Sequence, residues 1–212
     1  MFWGGATDCE LELRAGRGKS RRLKGRFPYK KRAVLSDGGK KGRPQKEEFA
    51  PKSFAYRVDD PKADMHLLLG HDYDRPLASR GAGTLDLFDT DEALTFDAEI
   101  TPEMAETTWA QDFFRAFASG LIGGISPGFR IPPPSAVPAD QAEKVAEEDP
   151  KLGNALIRTI FAALLYEISL VTVPAYKETE VEERNWQLTA GGVILPDALD
   201  AGLRRTLNRW RA

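Results

Sequence analysis

The sequence has little cysteine and little histidine. Of its 212 residues, one is cysteine and two are histidines, namely Cys9, His66 and His71. A single cysteine excludes a disulfide within the chain, and Cys9 lies in a glycine-containing stretch without the neighbours of a reactive thiol site. We therefore interpret Cys9 as incidental, which fits a reducing compartment. No metal site and no cofactor is predicted.

The sequence also lacks a long apolar run free of charge. Its longest apolar stretch, residues 155–173, contains Arg158 and Glu167. Charged side chains at such depths are costly in a bilayer, and the many β-branched residues favour buried strands over a membrane-spanning helix. The opening "MFWGGATDCE" has neither the basic start nor the apolar segment of a signal peptide. These absences predict a soluble protein without a membrane partner.

The net charge is small, at -2, but it is unevenly distributed. Between Arg14 and Lys46 the charged residues are basic except for Asp37, whereas residues 86–112 and 140–149 are acidic. A basic segment can contact nucleic acid or an acidic protein surface, and a solvated, mobile arm explains it equally well. No recognition helix or stacking motif accompanies the charge, so nucleic acid is not expected to be a partner.

The middle of the chain reads as strands with one clear helix. "GTLDLF" and "ALTFDAEI" alternate apolar and polar residues around the turn "DTDE", which predicts an antiparallel hairpin. Thr101 and Pro102 are typical of a helix start, and the helix is predicted to reach Ala118. Strands are predicted again from Leu156 to Val173, after an exposed Pro-rich and acidic excursion. Upstream, three aromatic residues are predicted to be apolar anchors, namely Phe49, Phe54 and Tyr56.

The two ends of the chain differ from this middle. Residues 1–20 are rich in glycine and charge, which predicts a flexible N-terminal tail. Near the C-terminus, apolar residues recur at helical spacing, at Leu199, Leu203, Leu207 and Trp210. They predict an amphipathic helix, whose basic end suits the helix dipole or else docks to a partner. The whole pattern predicts a β-barrel or an α+β domain.

Gly124-Ile-Ser126-Pro-Gly128 matches the G-x-S-x-G pattern of serine hydrolases, but its surroundings do not. The α/β-hydrolase elbow needs a helix after the serine, and it uses the next backbone N–H in its oxyanion hole. Here the next residue is Pro127, which has no N–H. Both histidines also precede the serine, whereas that fold places its histidine afterwards. The pattern therefore does not indicate an α/β-hydrolase.

A serine nucleophile still needs a base and a group that orients the base, in any chain order. His71 is the better base, because "GHDYDRP" places it at a strand end, whereas His66 is expected to belong to the strand. Glu167 is a candidate third group, since an acid inside an apolar strand is costly to bury without a partner. Asp72 and Asp74 are rivals by their nearness to His71. Ordinary polar residues in a β-domain remain the alternative to a triad.

Several linked motifs together resemble the prohead serine proteases of tailed phages and related particles. "EEFAPKSF", "LLLGHDYDRPLAS", "LTFDAEI", "GGISPGF" and "LYEISLVTVPAY" occur in that family's order and spacing. The resemblance covers residues 21–182 and leaves 183–212 as a C-terminal extension. It implies an α+β fold like that of herpesvirus assemblin, with a β-barrel of mainly antiparallel strands and surrounding helices. It also implies that His71, Ser126 and Glu167 are catalytic, with Glu167 where assemblin has a second histidine.

The resemblance implies a serine endopeptidase that matures capsids. Its implied substrates are the scaffold, the N-terminal arm of the major capsid protein and the enzyme itself, inside the assembling procapsid in the cytoplasm of the bacterial host. A homodimer is left open. Pro127 departs from the family pattern, so we expect the oxyanion to be bound by the amides of Gly128 and Phe129, with help from Arg130. The alternative is a non-catalytic scaffold or shell-binding morphogenesis protein.

Overall fold

The computed structural model describes residues 2–3, 10–16, 20–39, 42–172, 188–189 and 192–193. The chain divides into two units, Met1–Lys177 and Glu178–Ala212. In the second unit, the described residues form one antiparallel pair of short strands. The predicted C-terminal amphipathic helix lies outside the described residues. No helix among the described residues is long and apolar enough to cross a bilayer.

The described residues form fifteen strands and four short helices, numbered here in chain order. The strands are β1 (Phe2–Trp3), β2 (Glu10–Ala15), β3 (Arg21–Pro28), β4 (Arg32–Ser36), β5 (Gln45–Phe49), β6 (His66–Leu69), β7 (Asp72–Ser79), β8 (Leu85–Asp89), β9 (Ala93–Ile100), β10 (Gly124–Arg130), β11 (Glu143–Glu147), β12 (Leu156–Ile160), β13 (Leu164–Val171), β14 (Leu188–Thr189) and β15 (Gly192–Val193). The helices are α1 (Ala55–Val58), α2 (Pro102–Ala105), α3 (Thr108–Ala118) and α4 (Ala139–Ala142).

Three sheets make up the first unit. One has the order β1-β10-β13-β6-β7, a second β2-β3-β9-β8, and a third β11-β12-β5-β4. Most pairs are antiparallel; β13 with β6 and β12 with β5 are parallel. This architecture is compatible with the predicted α+β class. Among the described residues each sheet has free edges and none closes on itself, so the predicted barrel is not confirmed.

The core lies where the three sheets meet. Each sheet contributes a fully buried phenylalanine, Phe27 from β3, Phe49 from β5 and Phe129 from β10. The ring of Phe49 meets that of Phe27 edge to face at 5.5 Å and that of Phe129 at 5.1 Å. Burying one such ring contributes about 1.5–3 kcal/mol, and each favourable ring pair adds about 0.5–1.5 kcal/mol. Phe129 thus anchors the strand that carries Ser126.

The predicted hairpin is confirmed as β8 and β9, with the predicted face of β9 buried at Leu94, Phe96, Ala98 and Ile100. The predicted single helix is instead two helices, α2 and α3. Thr101 accepts a hydrogen bond from the Met104 N–H at the start of α2, as expected for a cap. Thr107 then breaks the helix, because its backbone is extended and its hydroxyl donates to the Met104 carbonyl.

Three other expectations differ from the structure. Glu10–Ala15 is strand β2, whose Leu11 and Leu13 alternate with exposed residues and pack against the core, although it lies within the predicted flexible tail. The excursion between Arg130 and Leu156 contains α4 and the acidic strand β11, which pairs with β12. Phe49 and Phe54 are buried as predicted, but Tyr56 is 57% exposed and does not anchor the core.

Candidate active site

Ser126 lies inside strand β10, which extends from Gly124 to Arg130. Strand β10 pairs with β13 along its whole length, from Gly124 to Arg130. Ile125 and Phe129 face the core and are fully buried. Because side chains alternate along a strand, Ser126, Gly128 and Arg130 share the opposite face, here called the site face. Ser126 is only 3% exposed.

His71 belongs to the tight turn that follows β6, as its place in the sequence predicts. Gly70 and His71 both have left-handed backbone conformations, with φ of 66° and 62°. Such a conformation is uncommon for a residue with a side chain, and it marks a turn fixed by its surroundings. The Gly70 N–H donates to the Leu170 carbonyl at 3.0 Å, and the His71 N–H donates to Ser169 Oγ at 2.9 Å. Both bonds hold the turn against β13.

The imidazole of His71 contacts a fully buried carboxylate. His71 Nδ1 lies 2.8 Å from Glu167 Oε1, and the Ser169 hydroxyl donates to Glu167 Oε2 at 2.7 Å. Glu167 and Ser169 are 0% exposed, whereas the His71 side chain is 18% exposed. A buried carboxylate is costly unless it is paired and hydrogen-bonded, and here each oxygen has a partner. A carboxylate at Nδ1 favours the tautomer with the proton on that nitrogen, which makes Nε2 the basic atom.

Strand register places Ser126 on the same face as this pair. Ser126 lies opposite Ser169, and Gly128 lies opposite Glu167. Opposed residues of an antiparallel pair point to the same face, so Ser126 is the diagonal neighbour of Glu167, about 7–8 Å away between Cα atoms. The structure therefore brings His71 and Glu167 into contact and puts Ser126 on the adjacent strand beside them.

Gly128 makes the space that the carboxylate fills. A Cβ atom built on Gly128 would come 1.9 Å from Glu167 Oε1, a distance that no carbon and oxygen can adopt. The strand pairing has a bulge at this point, between Gly128 and Phe129. Bulges often lie next to active sites, where they redirect a side chain. The close approach depends on the strand register, so the sequence alone gave no sign of it.

The predicted oxyanion donors lie along the same strand. Gly128 and Phe129 are paired with β13 on one edge and with Trp3 and Phe2 of β1 on the other. Consecutive N–H groups of a strand point to opposite edges, so these two amides face different neighbours. Arg130 is exposed, and its guanidinium carbon lies 5.7 Å from the centre of the Tyr166 ring.

The rivals for the histidine and the acid make other contacts. The Asp72 carboxylate lies 3.2 Å from the Arg75 guanidinium and accepts a hydrogen bond from the Asp74 N–H. Nε2 of His66 lies 3.7 Å from Asp64, and the His66 ring meets Tyr73 edge to face. Ser169, which sequence reasoning missed, contacts both His71 and Glu167, because its hydroxyl accepts from the His71 N–H and donates to the Glu167 carboxylate. The alternation of Glu167 and Ser169 on one strand face was the signal that could have found it.

Tyr73 lies beside the site and is about half exposed, at 48%. Partial burial and the nearby charge of Glu167 raise the pKa of the Tyr73 phenol, while Arg57 and Arg130 oppose this shift. The phenol therefore stays protonated at neutral pH and can donate a hydrogen bond.

In the part of the chain that the structure describes, no group of three or more His, Cys, Asp or Glu side chains could hold a metal ion.

A comparison with protein families identifies a match to this chain. The family model described as caudovirus prohead serine protease matches residues 36–191, which is more than half of the chain. This segment contains His71, Ser126 and Glu167. No curated protein and no solved structure matches the chain.

Proposed function

We propose that this chain, which belongs to the family of caudovirus prohead serine proteases, cleaves peptide bonds with Ser126 as nucleophile, His71 as base and Glu167 as the orienting acid. The family is one of serine peptidases that act on capsid proteins inside the prohead. The observation that carries the residue assignment is the 2.8 Å contact between His71 Nδ1 and the buried Glu167 carboxylate.

The reaction follows from this arrangement. Nε2 of His71 takes the hydroxyl proton of Ser126 as Oγ bonds to the carbonyl carbon of the substrate. His71 then gives that proton to the leaving amine as the C–N bond breaks, which leaves an acyl-enzyme. Water, deprotonated by the same nitrogen, hydrolyses the ester and restores Ser126. Glu167 stays ionised throughout, holds the ring in one orientation and stabilises the imidazolium.

The oxyanion forms beside the Ser126 strand. We assign its stabilisation to one amide of the Gly128–Phe129 pair and to Arg130, acting directly or through water. Removing one oxyanion donor typically lowers the rate by about 100- to 1,000-fold. Because Pro127 carries no N–H, the amide directly after the nucleophile cannot take this role.

The substrates proposed are the scaffold and the N-terminal arm of the major capsid protein, together with the enzyme itself. The test is co-expression with the major capsid protein of the same particle, in which wild type is compared with Ser126→Ala. Ser119→Ala, at the exposed end of α3, is a matched control. We expect a shortened capsid protein with wild type and Ser119→Ala only, detected by intact mass. A full-length product in all three cases would instead favour a non-catalytic scaffold or shell-binding protein.

A further inference from the structure

Two arginines share one tyrosine ring on the site face. The guanidinium carbon of Arg57, from α1, lies 4.4 Å from the centre of the Tyr166 ring, and that of Arg130, from β10, lies 5.7 Å from it. Arginine stacks well on aromatic faces, and the ring fixes the direction of its planar donor fork. Two segments far apart in the chain thus place two cations on one ring.

This ring lies next to the proposed catalytic residues. Tyr166 directly precedes Glu167 in β13, and Arg130 shares the site face with Ser126, four residues further along β10. A strand rises about 3.3 Å per residue, so the Cα atoms of Ser126 and Arg130 are about 13 Å apart. An extended peptide that lies across the site face spans that distance with three to four residues.

The two cations have no carboxylate partner among the described residues. The ion pairs within the described ranges involve neither Arg57 nor Arg130. The hydrogen bond that Arg57 donates goes to the Asp64 carbonyl at 3.0 Å. The Asp64 carboxylate accepts from the Gly81 N–H, and that of Glu167 holds His71.

Both guanidinium groups are cations held within about 6 Å of the centre of one ring, and an anion that binds at this ring is attracted by each of them. Arg57 is half-buried and Arg130 exposed, so an incoming group can reach both. Their planar forks match the geometry of a carboxylate, to which arginine binds through two parallel hydrogen bonds. The Tyr73 hydroxyl, which the charges of both arginines affect, adds a neutral donor nearby.

We propose that Arg57 and Arg130, held on Tyr166, form a subsite for an acidic side chain of the substrate, three to four residues from the bond that is cut. This rests on the proposed peptidase function, whose substrate preference it specifies. The subsite determines which peptides bind, whereas the chemistry at Ser126 cleaves them.

The test separates recognition from cleavage. Immobilised Ser126→Ala protein is used to select from a random library of twelve-residue peptides, with and without Arg57→Ala or Arg130→Ala. In parallel, wild type and each single arginine variant digest a peptide library, and the new termini are identified by mass spectrometry. Arg115→Ala is the matched control, because Arg115 is an exposed arginine on α3.

We expect the Ser126→Ala protein to enrich peptides that contain Asp or Glu, and wild-type cleavage sites to carry an acid at one fixed position. Each variant should lose this enrichment. For Arg57→Ala, kcat/KM should fall about 10- to 100-fold for an acidic peptide but not for its amide counterpart. Arg130→Ala should slow cleavage of both peptides, because Arg130 is also assigned to the oxyanion, and the acidic peptide should lose more than its amide counterpart. Arg130→Lys should retain part of the preference, and Arg115→Ala all of it.

The outcomes are distinguishable. Cleavage without an acidic preference, or with one that both variants retain, overturns the subsite and leaves the peptidase intact. In another outcome, the Ser126→Ala protein enriches acidic peptides, the arginine variants lose this enrichment, and wild type cleaves nothing. That result overturns the peptidase and retains the subsite. Failure of the selection to enrich acidic residues, with no cleavage, overturns both.

Discussion

At the scale of the residue, Gly128 determines the position of Glu167, the proposed orienting acid. The Glu167 carboxylate occupies the place of the missing Gly128 side chain. Gly128→Ala should therefore displace the carboxylate from His71 and lower kcat by about 100-fold or more, as displacements of about 1 Å do. The measurement is cleavage of the capsid protein by purified variants of known concentration.

Gly123 supplies the control for this substitution. A Cβ atom at Gly123 meets nothing within 4 Å, so Gly123→Ala should cleave like wild type. If Gly128→Ala were as active as wild type, the contact between His71 and Glu167 would not be needed for catalysis.

Ser169 is expected to act as a positioning residue. It donates to Glu167 and accepts from the His71 N–H, so Ser169→Ala leaves a carboxylate oxygen and a backbone N–H without these partners. We expect a lower kcat with little change in KM, and a loss of about 1–3 kcal/mol in the free energy of unfolding. The kinetics and a urea titration measure the two effects, and a change confined to stability would contradict the positioning role.

Some residues of this candidate site can be predicted from the local sequence, and others depend on how the strands pair. Glu167 could be found because an acid in an apolar strand needs a partner, and the structure supplies His71. Ser169 and the fit of Gly128 depend on the register of β10 against β13, and local sequence does not encode that register. The Phe129 ring, in turn, belongs to the core.

At the scale of the element, Arg158 connects strands β5, β11 and β12. It is the other charge in the long apolar stretch, and it pairs with the buried Glu47 at 3.0 Å and with Glu143. Removing one partner of a buried pair costs about 3–5 kcal/mol, because the other charge stays buried. Arg158→Ala should lower the free energy of unfolding by that amount in urea.

Arg115 provides the comparison. It pairs with Asp112 at 3.7 Å on the exposed side of α3, where ion pairs contribute about 0–1 kcal/mol. Arg115→Ala should therefore unfold within that range of wild type. Equal losses for Arg115→Ala and Arg158→Ala would refute the importance of the buried pair.

A carboxyl group at the end of β8 should make stability depend on pH. Asp89 accepts hydrogen bonds from the Tyr29 hydroxyl and from the Phe54 N–H at 3.0 Å, yet burial raises its pKa to about 6. A raised pKa means that the folded state binds the proton more tightly than the unfolded state. This contribution to stability is full below about pH 4 and is lost as the pH rises through about 6.

Asp89→Asn removes this titration. The free energy of unfolding of wild type, measured relative to Asp89→Asn, should therefore decrease between pH 4 and pH 7, in denaturant titrations at several pH values. A difference that stays constant, or that grows with pH, would contradict the assignment.

The elements that the sequence predicted are those specified by local patterns. The hairpin of β8 and β9 and the capped start of α2 follow from alternation and from Thr101 and Pro102. The acidic strand β11 could not be recognised, because its place in a sheet depends on pairing with β12 and on cations from distant segments, as in the contact of Arg43 with Glu147. The break at Thr107 depends on one hydroxyl that competes for a backbone carbonyl.

At the scale of the whole molecule, the phenylalanine rings at the meeting point of the three sheets couple stability to the site. Phe129→Ala should cost about 3–5 kcal/mol, the usual loss for a buried aromatic ring. Phe88→Ala is the control, because Phe88 is 56% exposed. Thermal unfolding measures both, and similar midpoints for the two variants would show that the three sheets do not depend on Phe129.

The position of β13 in the chain determines when the site can exist. This strand lies between β10 and β6 and carries Glu167, yet it is made after both of its neighbours. When the ribosome has passed residue 126 but has not reached residue 164, the nascent chain contains His71 and Ser126 but neither the Glu167 carboxylate nor the strand that joins β10 to β6. Newly made chains therefore lack the proposed catalytic centre until translation has passed this strand.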